Sequence, residues 1–348
     1  MREEKLDEKL KTTLLKIGTS EKILESSPKF DGLVKKIDFL KGLGKYQKLI
    51  KSLISCNDRK NFNSHVFEAL FAYDFETSGH PLIYEFTQDS LNKKGTSVDF
   101  CYNLDEERKI YFELRLIYEM NKIKDRMGKE INDEQGFCFS EILIKDVYRE
   151  EIIKNGNTLY RLPSYGEVPG DNYDGTKTTA KAISLRIQDI ILSKCRDKKG
   201  NPIKFFEKRD GTYNFIVAEI SENFIGMMDK FECRLAMYGP YCVPEHCRLD
   251  VFGLCQLIPD NSPAQFIEKY KPYYNKFKHF RETIHGILFV KYDENPFLNL
   301  YLDLELEYYF LPNPTLMKEN EFDEINNHLK GFLREWTIDT KNIIEGIP

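Results

Sequence analysis

The chain has 348 residues, 31% of them charged, with a net charge of -5 and a mean hydropathy of -0.50, enough material for one large domain or two small ones. No apolar run approaches a bilayer-spanning length and the charged start Met1–Leu10 is unlike a secretory signal, so the expectation is a cytoplasmic protein with no membrane partner. Mild acidity argues against a uniformly basic nucleic-acid binder, because phosphate contacts demand cations, and makes the distribution of charge the better guide.

Residues 1–60 read as a helical N-terminal region, with Leu14, Leu15 and Ile17, then Leu33, Val34, Ile37 and Leu40, at helical spacing. The next helix is expected over 61–75, with Asn63 or Ser64 as its N-cap and Gly79-His80-Pro81 as its stop. Glu68 lies about two turns before its end. A short strand follows at Leu82–Phe86, then a strand at Ser97–Tyr102 that carries Asp99, and another from Ile110 that carries Glu113 and Arg115. The cluster Asp105–Arg108 between the last two reads as a turn. Residues 119–176 form an insertion, whose end at 163–175 is dense in turn formers and is expected to be a mobile loop near the site.

A second helix is expected over 177–192, with apolar residues at 183, 187, 190 and 191 and with Lys181 and Gln188 off that stripe. A strand at Asn214–Ile220 completes a core spanning 61–222. Residues 223–348 read as a C-terminal extension that packs on the core and adds strands to it. Its elements are a strand at Ile284–Tyr292, a second within Leu300–Tyr309, and an amphipathic helix near 320–335.

Side chains alternate along a strand, so Glu113 and Arg115 share one face while Phe112, Leu114 and Leu116 share the other. If the two strands pair, Asp99 comes close to Glu113. Two carboxylates and a cation on one sheet are a means of holding a hard divalent ion beside a phosphate. The plain alternative is a charged solvent face, where a Glu–Arg couple contributes little.

The order helix, strand, strand, strand, helix, strand, with these residues in it, resembles the PD-(D/E)xK phosphodiesterase superfamily over about residues 61–222. The resemblance implies an α/β, restriction-endonuclease-like fold, a central mixed sheet flanked by helices. It implies that Asp99 and Glu113 bind Mg²⁺ or Mn²⁺, that Glu68 adds or orients a ligand, and that Gln188 contacts the substrate or a catalytic group. Arg115 stands where the family usually has lysine. Arginine stays charged, so it can stabilise a charged transition state but cannot act as a general base. Lys109 and Lys181 are candidates to supply an amine instead. The implied activity is metal-dependent nuclease hydrolysis of phosphodiester bonds, in a bacterial restriction or phage-defence setting, with DNA favoured over RNA. A protein partner or a homodimer is also compatible with it.

Two basic stretches suit a nucleic-acid surface. Residues 194–210 hold seven basic residues against three acidic ones, and 269–280 interleave lysines with aromatics. The alternative for the second stretch is a lysine-rich amphipathic helix with its aromatics in the core. The eight cysteines read as reduced thiols. Cys233, Cys242, Cys247 and Cys255, with His246 among them, lack the paired knuckle spacing of a zinc site, so buried thiols are preferred to zinc there. His65, one turn before Glu68, is within reach of the site. No phosphate loop, dinucleotide fingerprint, zincin helix or nucleophile elbow is present. Three readings therefore stand: a metal-dependent nuclease, a catalytically inactive relative that binds nucleic acid or protein, and an α/β scaffold with a plain surface network.

Overall fold

The computed structural model describes residues 5–21, 24, 28–87, 97–116, 150–154, 157–162, 166–169, 211–219, 233, 237–238, 280–292 and 306–329. The chain splits into two compact units, each discontinuous in sequence. The first comprises Met1–Leu116, Ile203–Glu219 and Glu282–Glu345; the second comprises Ile117–Pro202, Ile220–Arg281 and Gly346–Pro348.

The first unit begins with helices α1 (Leu6–Lys16), α2 (Pro28–Gly42) and α3 (Gln47–Ile54), which pack together, α2 and α3 also packing against α4 (Arg59–Thr77). Leu10, Leu14, Leu33, Ile37, Leu40, Leu49 and Leu53 are wholly buried and form the core of this lobe, whereas Leu15, expected on the same stripe, is exposed and Ile17 and Val34 are half-buried. Helix α4 starts earlier than its apolar pattern suggests. Its N-cap is Asp58, whose side chain accepts the Asn61 N–H at 2.9 Å, rather than Asn63 or Ser64. Asn63 is instead buried within the helix. At the other end Gly79, with φ +84, takes the left-handed conformation that closes the helix, as the Gly-His-Pro stop predicts.

Strands β1 (Leu82–Thr87), β2 (Ser97–Asn103) and β3 (Lys109–Leu116) form an antiparallel meander. The turn between β2 and β3 is closed by Asp105, whose Oδ1 accepts the Glu107 and Arg108 N–H groups while Oδ2 pairs with the Arg108 guanidinium. Strand β7 (Thr212–Glu219) joins β3 in parallel, β8 (Gly286–Tyr292) joins β7 in parallel, and β9 (Leu306–Pro312) returns antiparallel. The result is an open mixed sheet of six strands in the order β1-β2-β3-β7-β8-β9. The molecule is thus mixed α/β, and the expected later strands do extend the sheet. The strand expected within Leu300–Tyr309 runs on to Pro312, and residues 300–305 lie outside the described residues. Helix α5 (Glu319–His328) matches the start of the expected final amphipathic helix; residues beyond 329 lie outside the described residues.

Aromatic packing sets which face α4 covers. Phe71 of α4 lies 5.5 Å from Phe100 and 5.3 Å from Phe112, ring centre to ring centre, and Phe75 lies 5.2 Å from Phe112. Alternation along β2 and β3 therefore turns Asp99, Tyr111, Glu113 and Arg115 to the other face. Packing at the amino end of β8 is tight: a Cβ on Gly286 would meet the Phe310 ring at 2.5 Å. Beside it, buried Asn214, His285 and Asn313 take up main-chain groups. The Asn214 N–H donates to His285 Nδ1, and the Asn214 and Asn313 amides donate to the Thr283 and Ile284 carbonyls.

The described part of the second unit holds strands β4 (Glu150–Lys154), β5 (Asn157–Leu162) and β6 (Gly166–Pro169) in one antiparallel sheet. The loop expected over 163–175 is corrected in part, because Gly166–Pro169 pair with β5 as a strand. Among the described residues no helix is long and apolar enough to cross a membrane.

Candidate functional site

The site is built on the meander. Pairing of β2 with β3 runs from Asn103↔Lys109 to Phe100↔Phe112. Continuing that register by one step sets Asp99 beside Glu113. There the ladder changes character: the Leu114 N–H donates to Asp99 Oδ2 at 2.7 Å, so a carboxylate takes the place of a strand partner. Glu113 is wholly buried and Asp99 half-buried. A buried carboxylate is rare unless something compensates it, and this burial removes the solvent-face account of Glu113. Arg115, two residues on and half-buried, shares the Glu113 face.

The ladder is broken on the other side of Asp99 as well. Pairing of β1 with β2 keeps one register from Tyr84↔Phe100 to Phe86↔Val98, but Glu85 and Asp99, opposite each other between them, form no ladder pair. Glu85 has φ +48, the left-handed region that costs a non-glycine residue of order 1 kcal/mol or more. The strand turns over at this point. Tyr84 packs 5.4 Å from Phe100 on the α4 face, whereas Phe86 stacks 5.6 Å from Tyr111 on the opposite face. The Glu85 carboxylate is held by Lys48 of α3.

Glu68 approaches from α4. Its Oε2 accepts the Tyr84 hydroxyl at 3.1 Å, and His65 Nδ1 lies 3.5 Å from its Oε1. Tyr84 joins the acidic groups to one another. Burial, then the charge of Glu68, then that of Glu85, with a further contribution from Asp99, raises its phenol well above the ordinary range. Glu68 and Asp99 thus both act on one hydroxyl. Nearby, burial followed by the charges of Asp58 and Glu68 pushes the Cys56 thiol up to about 11, which leaves it protonated and unreactive at neutral pH. Cys101 behaves likewise, raised to about 11 chiefly by burial.

The structure therefore places Asp99, Glu113 and Arg115 on one stretch of sheet, turned away from α4, whereas Glu68 lies on the α4 face, where its partners are Tyr84 and His65. Lys109 is no substitute for a site lysine. It begins β3, four residues and about 13 Å of strand from Glu113, with its Nζ 5.5 Å above the Phe86 ring. Gln188, Lys181, the 194–210 and 269–280 stretches, and three of the four clustered cysteines (Cys242, Cys247 and Cys255) lie outside the described residues. The fourth, Cys233, is buried.

Sequence reasoning missed Tyr84, Glu85, Lys48 and Glu219. The last is buried at the carboxyl end of β7, beside Leu116. Its sequence signal was an acidic residue closing an otherwise apolar strand. Among the described residues no group of three or more His, Cys, Asp or Glu side chains is arranged to hold a metal ion. The pair Asp99 and Glu113 offers oxygen ligands alone, the donor type a hard divalent cation takes, and Mg²⁺ is commonly held by one or two carboxylates with waters and phosphate completing its shell. Comparison with protein-family models, with curated proteins and with solved structures returned no match for this chain.

Proposed function

We propose that this protein is a metal-dependent phosphodiesterase acting on nucleic acid, with a restriction-endonuclease-like core formed by α4, the β1–β3 meander and β7. The observation that carries the reading is the buried Glu113 one residue beyond the end of the β2–β3 ladder, where the Asp99 carboxylate accepts the Leu114 N–H. Structural carboxylates of a sheet face do not need both features.

In this reading Asp99 and Glu113 hold a Mg²⁺ or Mn²⁺ ion, which when bound supplies Lewis acidity and lowers the pKa of a water. Asp99 is oriented by its bond from the Leu114 N–H, which fixes the position of its carboxylate. Arg115 supplies a permanent positive charge on the same face and stabilises the charge that builds on phosphorus-bound oxygens. Glu68, tied to the Tyr84 hydroxyl, is a positioning residue at the margin of the site. Gln188 keeps its expected role toward the substrate.

A second reading is favoured by one specific residue. Arg115 cannot shed a proton, so the same architecture could bind nucleic acid or a protein without cleaving anything. Incubation with plasmid, single-stranded DNA and RNA, each with Mg²⁺ or Mn²⁺, separates the two. Cleavage that chelator abolishes supports the phosphodiesterase, and intact substrates under every condition support the binding module.

A further inference from the structure

The helical lobe carries the opposite charge from the rest of the chain. Between residues 28 and 60 there are nine lysines and arginines against three aspartates and no glutamate, a net charge of +6 in a protein of net charge -5. The remaining residues are therefore at -11. One of the three aspartates, Asp58, is already engaged in capping α4.

The excess is displayed outward. Lys35, Lys41, Lys45, Lys48, Lys51 and Lys60 are all exposed. Helix α3 turns Leu49, Ile50 and Leu53 into the lobe and leaves Lys48 and Lys51, about one turn apart, on its outer side. Lys35, Lys41 and Lys51 make no ion pair among the described residues. Lys45 pairs with Glu76, and Lys48 pairs with Glu85. That last contact locates Lys48, because Glu85 stands opposite Asp99 in the sheet. Through Lys48 the basic lobe reaches the β1 edge of the candidate site.

We infer that the outer surface of α2 and α3, with Lys35, Lys41, Lys48 and Lys51, is the face that tracks the phosphate backbone of a nucleic acid and delivers it to the stretch around Asp99. The inference rests on the phosphodiesterase reading for the identity of the polyanion. Its physical basis is separate from it. Lysines on short helices give charge without base-specific geometry, so the contact neutralises phosphates, releases counterions and is blind to sequence. The lobe's net +6, against -11 summed over the remaining residues, biases the approach of a polyanion toward it, alongside the basic stretches at 194–210 and 269–280.

The test is fluorescence-anisotropy binding of the full chain to a labelled DNA duplex and to its single strand, with EDTA present and salt varied. Parent protein is compared with Lys41→Gln/Lys51→Gln and with a control of equal charge change, Lys5→Gln/Lys318→Gln, all checked by circular dichroism. The expected result is weaker binding by the first variant alone. Its slope of log affinity against log salt on duplex should fall by about 1.8, at roughly 0.9 per lost phosphate contact. Equal affinity in both variants would overturn the inference. So would a parent that binds no nucleic acid, or that binds phosphatidylserine vesicles in its place. Because EDTA removes the metal, binding in the expected pattern without any cleavage in Mg²⁺ upholds the surface and refutes catalysis. Cleavage with the lysine variant unimpaired refutes the surface alone.

Discussion

The Leu114 N–H donates to Asp99 Oδ2 at 2.7 Å, and through this bond β2 and β3 stay joined at the point where their backbone ladder stops. Asp99 thus has a structural task and a proposed chemical one, and substitutions separate them. Asp99→Asn keeps an acceptor for the N–H but removes the charge that a divalent ion needs. Asp99→Ala removes both and leaves a part-buried donor unmatched, at a cost of about 1–3 kcal/mol. Urea unfolding should therefore show a clear loss for the alanine variant and little for the asparagine variant. Both should lose Mn²⁺-dependent cleavage.

Glu76 anchors the start of β1. Its Oε1 accepts the Tyr46 hydroxyl at 2.6 Å and the Leu82 N–H at 2.8 Å, and Lys45 Nζ lies 2.6 Å away. The Glu76 side chain is 7% exposed, and burial with the Glu76 bond and charge raises the Tyr46 phenol above its ordinary range. Glu76→Leu orphans a main-chain donor and a buried hydroxyl together. We expect a loss of about 3 kcal/mol in urea unfolding, with Glu76→Gln losing less because its carbonyl oxygen can still accept.

His80 links stability to pH. Its Nδ1 shares a hydrogen bond with the Tyr102 hydroxyl at 3.0 Å and its ring lies edge-on to Phe75. Burial, followed by the charge of His328, holds its pKa below the ordinary 6.5. The unfolded chain therefore takes up the proton more readily than the folded one. The contribution of neutral His80 is fully present above pH 6.5 and is lost as pH falls through its lower folded value. Thermal unfolding followed from pH 8 downward should show a falling midpoint below that point. The fall should be shallower in His80→Gln.

Much of this architecture can be read from periodicity. The leucines of α1–α3 fall on 3.6-residue spacing, and alternation in 109–116 places Glu113 and Arg115 on one face, opposite the Phe112 side that packs on α4. Periodicity reports which face a side chain takes but not what covers that face, so it could not distinguish a buried Glu113 from an exposed one. It also misplaced the start of α4. The first turn, Arg59–Asn61, is polar and carries no apolar signal, and the cap is set by Asp58 finding the Asn61 N–H. The turnover at Glu85 has no local signature at all, since glutamate is not a residue that favours positive φ. It follows from what surrounds it: Tyr84 reaching Glu68, Lys48 holding Glu85, and Phe86 stacking on Tyr111.

The most direct test of the account is cleavage by parent protein and by Glu113→Gln, purified side by side, on plasmid, single-stranded DNA and RNA with Mn²⁺ or Mg²⁺. The account predicts cleavage by the parent that is reduced by at least about 10²-fold in the variant, with both proteins equally folded, as for loss of a group that stabilises charge in the transition state. Equal cleavage by the two proteins, or no cleavage of any substrate by the parent, would contradict it.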